Sequence, residues 1–272
     1  MTLQRFTYEV LNSLDVWRTM PTITLEEMRC VKLMNRIDTK YVLSEREVIT
    51  LLERAKSEGY RVQIIGDVRA CRYDTLYYDT APRDMYLAHH NRILTRQKIR
   101  TRRYVESGVT FLEIKNKSNR GRTRKKRIEI APECFDNISH AEGVGPFFAE
   151  HARYACEVLS PALSTRFVRI TLVNPRLTER LTIDLALEYE DMRHHTRASI
   201  PTMAIVELKQ DGNAISELKS TMLDMRIRPL KVSKYCLGTT LTVEGIKCNR
   251  FKAKLRNIAK RLGTNEIIKT NK

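Results

Sequence analysis

Six strand-like runs in this chain carry charged side chains on one face and mostly apolar ones on the other, and this alternation restricts the fold more than any other feature. Side chains two apart on a strand share a face. Arg36, Asp38 and Lys40 therefore project together, as do Arg100, Arg102 and Tyr104. Glu113, Lys115 and Lys117 oppose Leu112 and Ile114, and Lys125, Arg127 and Glu129 oppose Lys126, Ile128 and Ile130. Arg180, Thr182, Asp184 and Glu188 oppose Leu181, Ile183, Leu185 and Leu187; Glu207 and Lys209 oppose Val206 and Leu208. A single strand of this kind is an ordinary half-solvated sheet element. So many in succession, all favouring Arg and Lys, fit a sheet closed around an anion, with Arg offering a bidentate fork and Lys a mobile point charge.

The surrounding segments set the class. Strand patterns fall at 71–79, 92–105, 109–117, 124–131, 166–174, 179–189 and 203–209. Residues 1–35 read as mostly helical, from Val10, Leu14 and Trp17 and then Leu25, Met28 and Val31, with a break near Pro21. Ser44 with Glu47 forms a capping box that opens a helix through Ala55. Further helices are expected at about 144–159, 215–224 and 247–262. No regular βαβ alternation appears, so the expectation is an antiparallel α+β fold. Residues 1–243 form one domain in this reading, and 244–272 a basic amphipathic tail. Phe251, Leu255, Ile258 and Leu262 mark the tail's apolar stripe. The tail packs on the domain or, on the functional alternative, touches anionic membrane or a phosphate product.

Composition narrows the partner. The chain has 49 Lys and Arg against 32 Asp and Glu, a formal net charge of +17. Such an excess calls for a polyanion. Nucleic acid is disfavoured, because 7% aromatics provide no regular stacking pattern. The six cysteines form no CxxC pair and read as free, mostly buried thiols of a reducing, cytoplasmic setting. No apolar run approaches the roughly 18 residues of a membrane span. GxxxxGK[ST], kinase-type glycine and HExxH motifs are absent. The pairs His89–His90 and His194–His195 are expected in loops. Carboxylates among the bases suit Mg²⁺ or Mn²⁺. Glu207 and Glu113 are the leading ligands, with Asp184 and Glu129 behind them; internal salt bridges are the open alternative.

The ordered segments RIDTKYVLS (36–44), LYYDT (76–80), IRTRRY (99–104), FLEIKNK (111–117), RTRKKRIEI (122–130), RLTIDLALEY (180–189), AIVELK (204–209) and PLKVSKY (229–235) together resemble the vacuolar transporter chaperone (VTC) domain. That family is a branch of the triphosphate tunnel metalloenzymes. The resemblance covers roughly 30–240. It implies an antiparallel eight-stranded tunnel barrel with flanking helices, and a metal-dependent polyphosphate polymerase that moves the γ-phosphoryl group of ATP onto inorganic polyphosphate. By the resemblance, Arg100, Arg102, Lys115 and Arg180 are catalytic. Lys40, Lys126 or its neighbour Lys125, Arg169, Lys231 and Lys234 bind phosphate, and Glu207 binds the metal. The ExExK signature of the hydrolytic tunnel branch is missing near the N-terminus, as are the regulatory domain and membrane spans of the eukaryotic complex. Hydrolysis of triphosphate or polyphosphate, and non-catalytic polyphosphate sensing, remain the alternatives.

Overall fold

The computed structural model describes residues 6–31, 36–212, 215–264 and 267. The chain opens with α1 (Tyr8–Asn12), β1 (Thr22–Thr24), β2 (Arg36–Ser44), α2 (Glu45–Ser57), β3 (Arg61–Ile64) and β4 (Ala70–Asp79). Then come α3 (Asp84–His90), β5 (Arg96–Tyr104), β6 (Val109–Lys117), β7 (Thr123–Glu129) and α4 (Val144–His151). It closes with β8 (Ser160–Val173), β9 (Glu179–Asp191), β10 (Arg197–Ile200), β11 (Met203–Asp211), α5 (Glu217–Asp224), α6 (Lys234–Thr242) and α7 (Asn249–Leu262).

Eight strands form one continuous sheet in the order β2-β11-β9-β8-β4-β5-β6-β7. All neighbours along this path are antiparallel. The expected antiparallel α+β architecture is therefore present. The sheet curls into a half-barrel whose edges, β2 and β7, do not pair with each other among the described residues, so a seam stays open. Strands β3 and β10 attach off this path, and β1 adds to β3 in parallel.

Apolar side chains of the convex face make two cores. Tyr41, Leu43, Ile170, Leu172, Leu181, Ile183, Val206 and Leu208 pack against α1, α2 and α5 through residues such as Leu11, Leu51, Leu52 and Leu218. Leu76, Tyr78, Ile99, Leu112 and Ile114 pack under α4 through Phe147 and Phe148. Each such side chain contributes about 1.5–3 kcal/mol on burial. The predicted capping box is present, with Ser44 N donating to Glu47 at 2.7 Å and Glu47 N to Ser44 Oγ at 3.4 Å.

Three expectations need correction. The N-terminal helical expectation over 1–35 does not hold across its described part, residues 6–31: α1 and two short 3-10 turns flank a strand, because the β-branched run Thr22-Ile23-Thr24 after Pro21 pairs with β3. His89 and His90 end α3 and are not in a loop, unlike His194 and His195. Finally, Glu188 does not share a face with Asp184. Between the pairs Arg166–Glu188 and Val168–Leu185, β9 has one residue more than β8, and Ala186 takes φ +48°. This bulge reverses the alternation. Beyond it Leu187 and Tyr189 join the concave face, and Glu188 turns away.

Helix α6 lies within the concavity. Tyr235 to Thr242 are all buried, so it has no polar stripe to reveal a helical period. Its packing is close: a Cβ on Gly238 would lie 2.7 Å from Leu163 Cδ2 and would overlap the Tyr189 ring. Tyr235 Oη donates to Asp79, whose carboxylate also accepts from the backbone of Thr80, Met85 and Tyr86 at the start of α3. Alongside α6, α7 buries Leu255 and Ile258, and Arg261 pairs with Glu47. The basic C-terminal helix is thus docked on the sheet.

Candidate active site

Between α6 at one end and residues 22–31 at the other, the concave face is a charged channel. Three carboxylates reach into it from three strands, each held by two bases. Glu113 on β6 is fully buried and accepts from Arg100 Nε at 2.7 Å and from Lys125 Nζ at 3.0 Å. Asp184 on β9 receives a bidentate pair from Arg169, at 2.5 and 2.8 Å, and a further bond from Lys234. Glu207 on β11 pairs with Lys40, its register partner on β2, and lies 3.4 Å from Lys209.

The strand registers explain these pairings. Arg100 sits opposite Glu113, Arg169 opposite Asp184, and Lys40 opposite Glu207, so each ion pair spans one rung of the ladder. Burial alone would raise all three carboxyl pKa values. Arg100 and Arg102 beside Glu113, Arg169 and Lys234 beside Asp184, and Lys209 and Lys40 beside Glu207 outweigh it and hold them well below the usual carboxylate range. The lysines respond in the opposite sense. Burial pulls Lys209 and Lys234 down to about 8 despite the neighbouring carboxylates.

Bases outnumber acids here, and several have no carboxylate within ion-pair distance among the described residues, the most deeply buried being Arg102 and Lys115. Arg102, 6% exposed, donates only to Thr75 Oγ1 at 3.0 Å and lies 5.6 Å from the Tyr73 ring and 5.7 Å from that of Phe167. Lys115, between Lys98 and Lys125 in the ladder, is pushed well below the usual lysine range by burial and by Arg100. A buried cation without a counter-ion is costly, and the guanidinium cannot shed its proton. An anion entering the channel removes that cost.

The remaining candidates separate. Arg180 faces the channel opposite Lys209, beneath the 22–31 segment, with its Nη2 3.5 Å from Met28 O. Lys231 is exposed in the loop before α6. Lys126 pairs in register with Ile114 and points to the convex side, while Lys125 faces the channel, because alternation admits only one of the two neighbours. Glu129 lies opposite Phe111, on an exposed stretch of β7. Lys209 and the rings of Tyr73, Tyr77 and Phe167 also line the channel and were not among the predicted site residues. Lys209 was legible from its spacing to Glu207, but the rings were not, since an aromatic residue in a strand normally signals core.

The carboxylates differ in their fitness for a metal. Both oxygens of Glu113 are engaged by Arg100 and Lys125, and both of Asp184 by Arg169 and Lys234, so neither is open as a ligand. Glu207 meets only lysines, which can swing away, and the Thr182 hydroxyl opposite it has no hydrogen-bond partner among the described residues. Two hard oxygens suit Mg²⁺ or Mn²⁺ completed by phosphate oxygens. No cluster of three or more His, Cys, Asp or Glu residues able to hold a metal occurs among the described residues. Among them, too, no helix is long and apolar enough to cross a membrane.

Solved structures with a similar course include a candidate adenylate cyclase from Bacillus halodurans, 11% identical, with a TM-score of 0.48 over 80% of this chain and 99% of that one. A candidate adenylyl cyclase from Hippeastrum with a dominant triphosphatase activity is 15% identical, with a TM-score of 0.48 over 76% of this chain and 97% of the other. No curated protein matches the chain. The model of the VTC domain matches residues 35–243, which hold every strand of the curled sheet, and the chain belongs to the VTC domain family.

Proposed function

We propose that the protein is a polyphosphate polymerase that transfers the γ-phosphoryl group of ATP to the end of an inorganic polyphosphate chain held in the channel. The observation that carries this reading is that two deeply buried channel-facing cations, Arg102 and Lys115, have no carboxylate within ion-pair distance among the described residues. Phosphoryl transfer depends mainly on positioning and charge stabilisation, and the attacking terminal phosphate oxygen is already ionised. No side-chain base is required. Arg100, held in place by Glu113, acts with Arg102 and Lys115 on the oxygens of the transferring phosphoryl group. Arg169 and Lys234, oriented by Asp184, bind the neighbouring phosphates. Lys40, Lys209, Arg180, Lys125 and Lys231 extend the basic lining, Lys125 taking the place expected for Lys126. Glu207 and Thr182 are the residues to hold Mg²⁺ or Mn²⁺, which when bound would neutralise phosphate charge.

The test is incubation with ATP and Mn²⁺ or Mg²⁺, with products resolved on a gel stained for polyphosphate and Arg100→Ala as control. A ladder of chains that the variant does not make supports the polymerase. Orthophosphate without chains replaces it with a hydrolase. Tight polyphosphate binding with no turnover replaces it with a sensor.

A further inference from the structure

The channel's basic lining continues past the ion pairs into a region with no acids. Going along β5 and β6 towards α6, the concave-facing rungs are Arg102 with Phe111, Arg100 with Glu113, Lys98 with Lys115, and Arg96 with Lys117. The first two contain an aromatic ring or a carboxylate. The last two contain only bases, and Lys125 on β7 extends the third. Lys231, in the loop before α6, belongs to the same neighbourhood, as does Lys254 on α7, whose ammonium lies 5.9 Å from the Phe251 ring, itself 6.2 Å from that of His89. Lys117 feels Arg96, Lys231 and Lys98; Lys254 feels Arg92 and Lys231. Lys98 is fixed from below, its ammonium donating to Ser233 Oγ at 2.7 Å, and Ser233 is the N-cap of α6. Arg96 is fixed by its bond to Ile93 O at 2.7 Å. Among the described residues none of Arg96, Lys98, Lys117, Lys231 and Lys254 has a carboxylate partner. Burial and then Lys98, Arg96, Lys254 and Lys117 push the nearby His89 imidazole down to about 2, and its Nδ1 has no hydrogen-bond partner.

The N-terminal, positive end of α6 meets this group at Ser233. From Arg102 to Arg96 the strand covers about 20 Å, so one extended anion reaches from the uncompensated arginine to the outer group. A compact triphosphate does not need that reach.

We infer that Arg96, Lys98, Lys117, Lys231 and Lys254 form an outer subsite that grips the distal stretch of a long phosphate chain whose end lies at Arg102 and Lys115. This rests on the polyphosphate reading of the channel, and assigns the basic C-terminal helix a part in it through Lys254. The subsite favours long chains over short ones by supplying extra charge contacts, and it delays release of a growing chain.

The experiment compares binding of inorganic tripolyphosphate and of long-chain polyphosphate by the full chain, in a salt series, for wild type and for Lys117→Ala/Lys254→Ala. Wild type is expected to prefer the long chain. The double variant should lose about tenfold of that preference, as two half-exposed charge contacts are removed. Its salt dependence for long chains should drop by about one to two in log–log slope. Lys117→Gln/Lys254→Gln, which keeps the side-chain stems, should show the same loss and thereby exclude a packing defect. A double variant that keeps both the long-chain preference and the salt slope overturns the outer subsite while leaving the channel reading intact. Wild-type protein that binds neither anion overturns both.

Discussion

The concave face of the sheet is two surfaces built by the same strands. In one half, Lys40 on β2, Asp184 on β9 and Glu207 on β11 face an open channel. In the other, Val42, Leu187 and Ile205 of those same strands lie under α6 and α7. The apolar half is filled, with the Tyr235 ring stacked 4.9 Å from that of Tyr77 and bonded to a buried carboxylate. The charged half gains little stability from its contacts, because desolvation offsets most of the attraction within buried ion pairs. Holding the fold and holding a ligand are thus divided along single strands, with the packed half fixing the rungs on which the charged half depends.

The division is tested most strongly by removing the anchor of the packed half. Tyr235→Ala should lower the unfolding free energy by about 3–5 kcal/mol in urea titration. A change under 1 kcal/mol would mean that α6 does not hold the sheet. In the charged half Arg102→Ala should act the other way round. Turnover should fall about 10²–10³-fold, while the melting temperature stays level or rises as an uncompensated buried charge is removed. A clear drop in melting temperature would break the comparison. Tyr235→Phe retains the ring but leaves Asp79 without one donor, at a cost of about 1–3 kcal/mol in the same unfolding measurement.

The smallest effect concerns pH, and it takes opposite signs for the two properties. Lys209 and Lys234 titrate near 8 in the folded protein, against 10.5 for a free lysine. Between those values the unfolded chain binds more protons, so the stability of the ligand-free protein contributed by these groups rises with pH. Polyphosphate affinity needs the charged lysines and should fall about tenfold from pH 7 to 9.5, with proton uptake on binding seen as a buffer-dependent heat. Affinity that stays flat across that range would show that these lysines keep their protons or do not meet the anion.

The sequence disclosed the charged half better than the packed one. Alternation is a local property, and it assigned Arg100, Arg102, Lys115, Asp184 and Glu207 each to the charged face of its own strand without knowledge of their neighbours. It could not choose between Lys125 and Lys126, because that choice depends on register with β6. It left open whether Glu113 is a metal ligand or a counter-ion, a choice that requires knowing that Arg100 lies across the rung. Helices α3 and α6 escaped notice for a different reason. The first is short and is started by Asp79, and the second combines Gly238 and several threonines in a fully buried setting where amphipathic period has no meaning. The open seam between β2 and β7 was equally invisible, since no residue pattern separates a curled sheet from a closed one.

The bulge at Ala186 matters for anyone reading relatives of this chain. It behaves as a frameshift in space: letters on either side stay in order, but every side chain downstream changes the surface it addresses. A relative lacking that one residue would keep its counterparts of Leu187 and Tyr189 on the concave face by plain alternation, whereas one that kept the residue in a regular strand would drive its counterparts of Glu188 and Glu190 into the space that Leu187 and Tyr189 occupy here. Residue count and backbone conformation at this position therefore have to be read together, because an extra residue that is not absorbed by a bulge would exchange the charged and apolar faces of the rest of the strand.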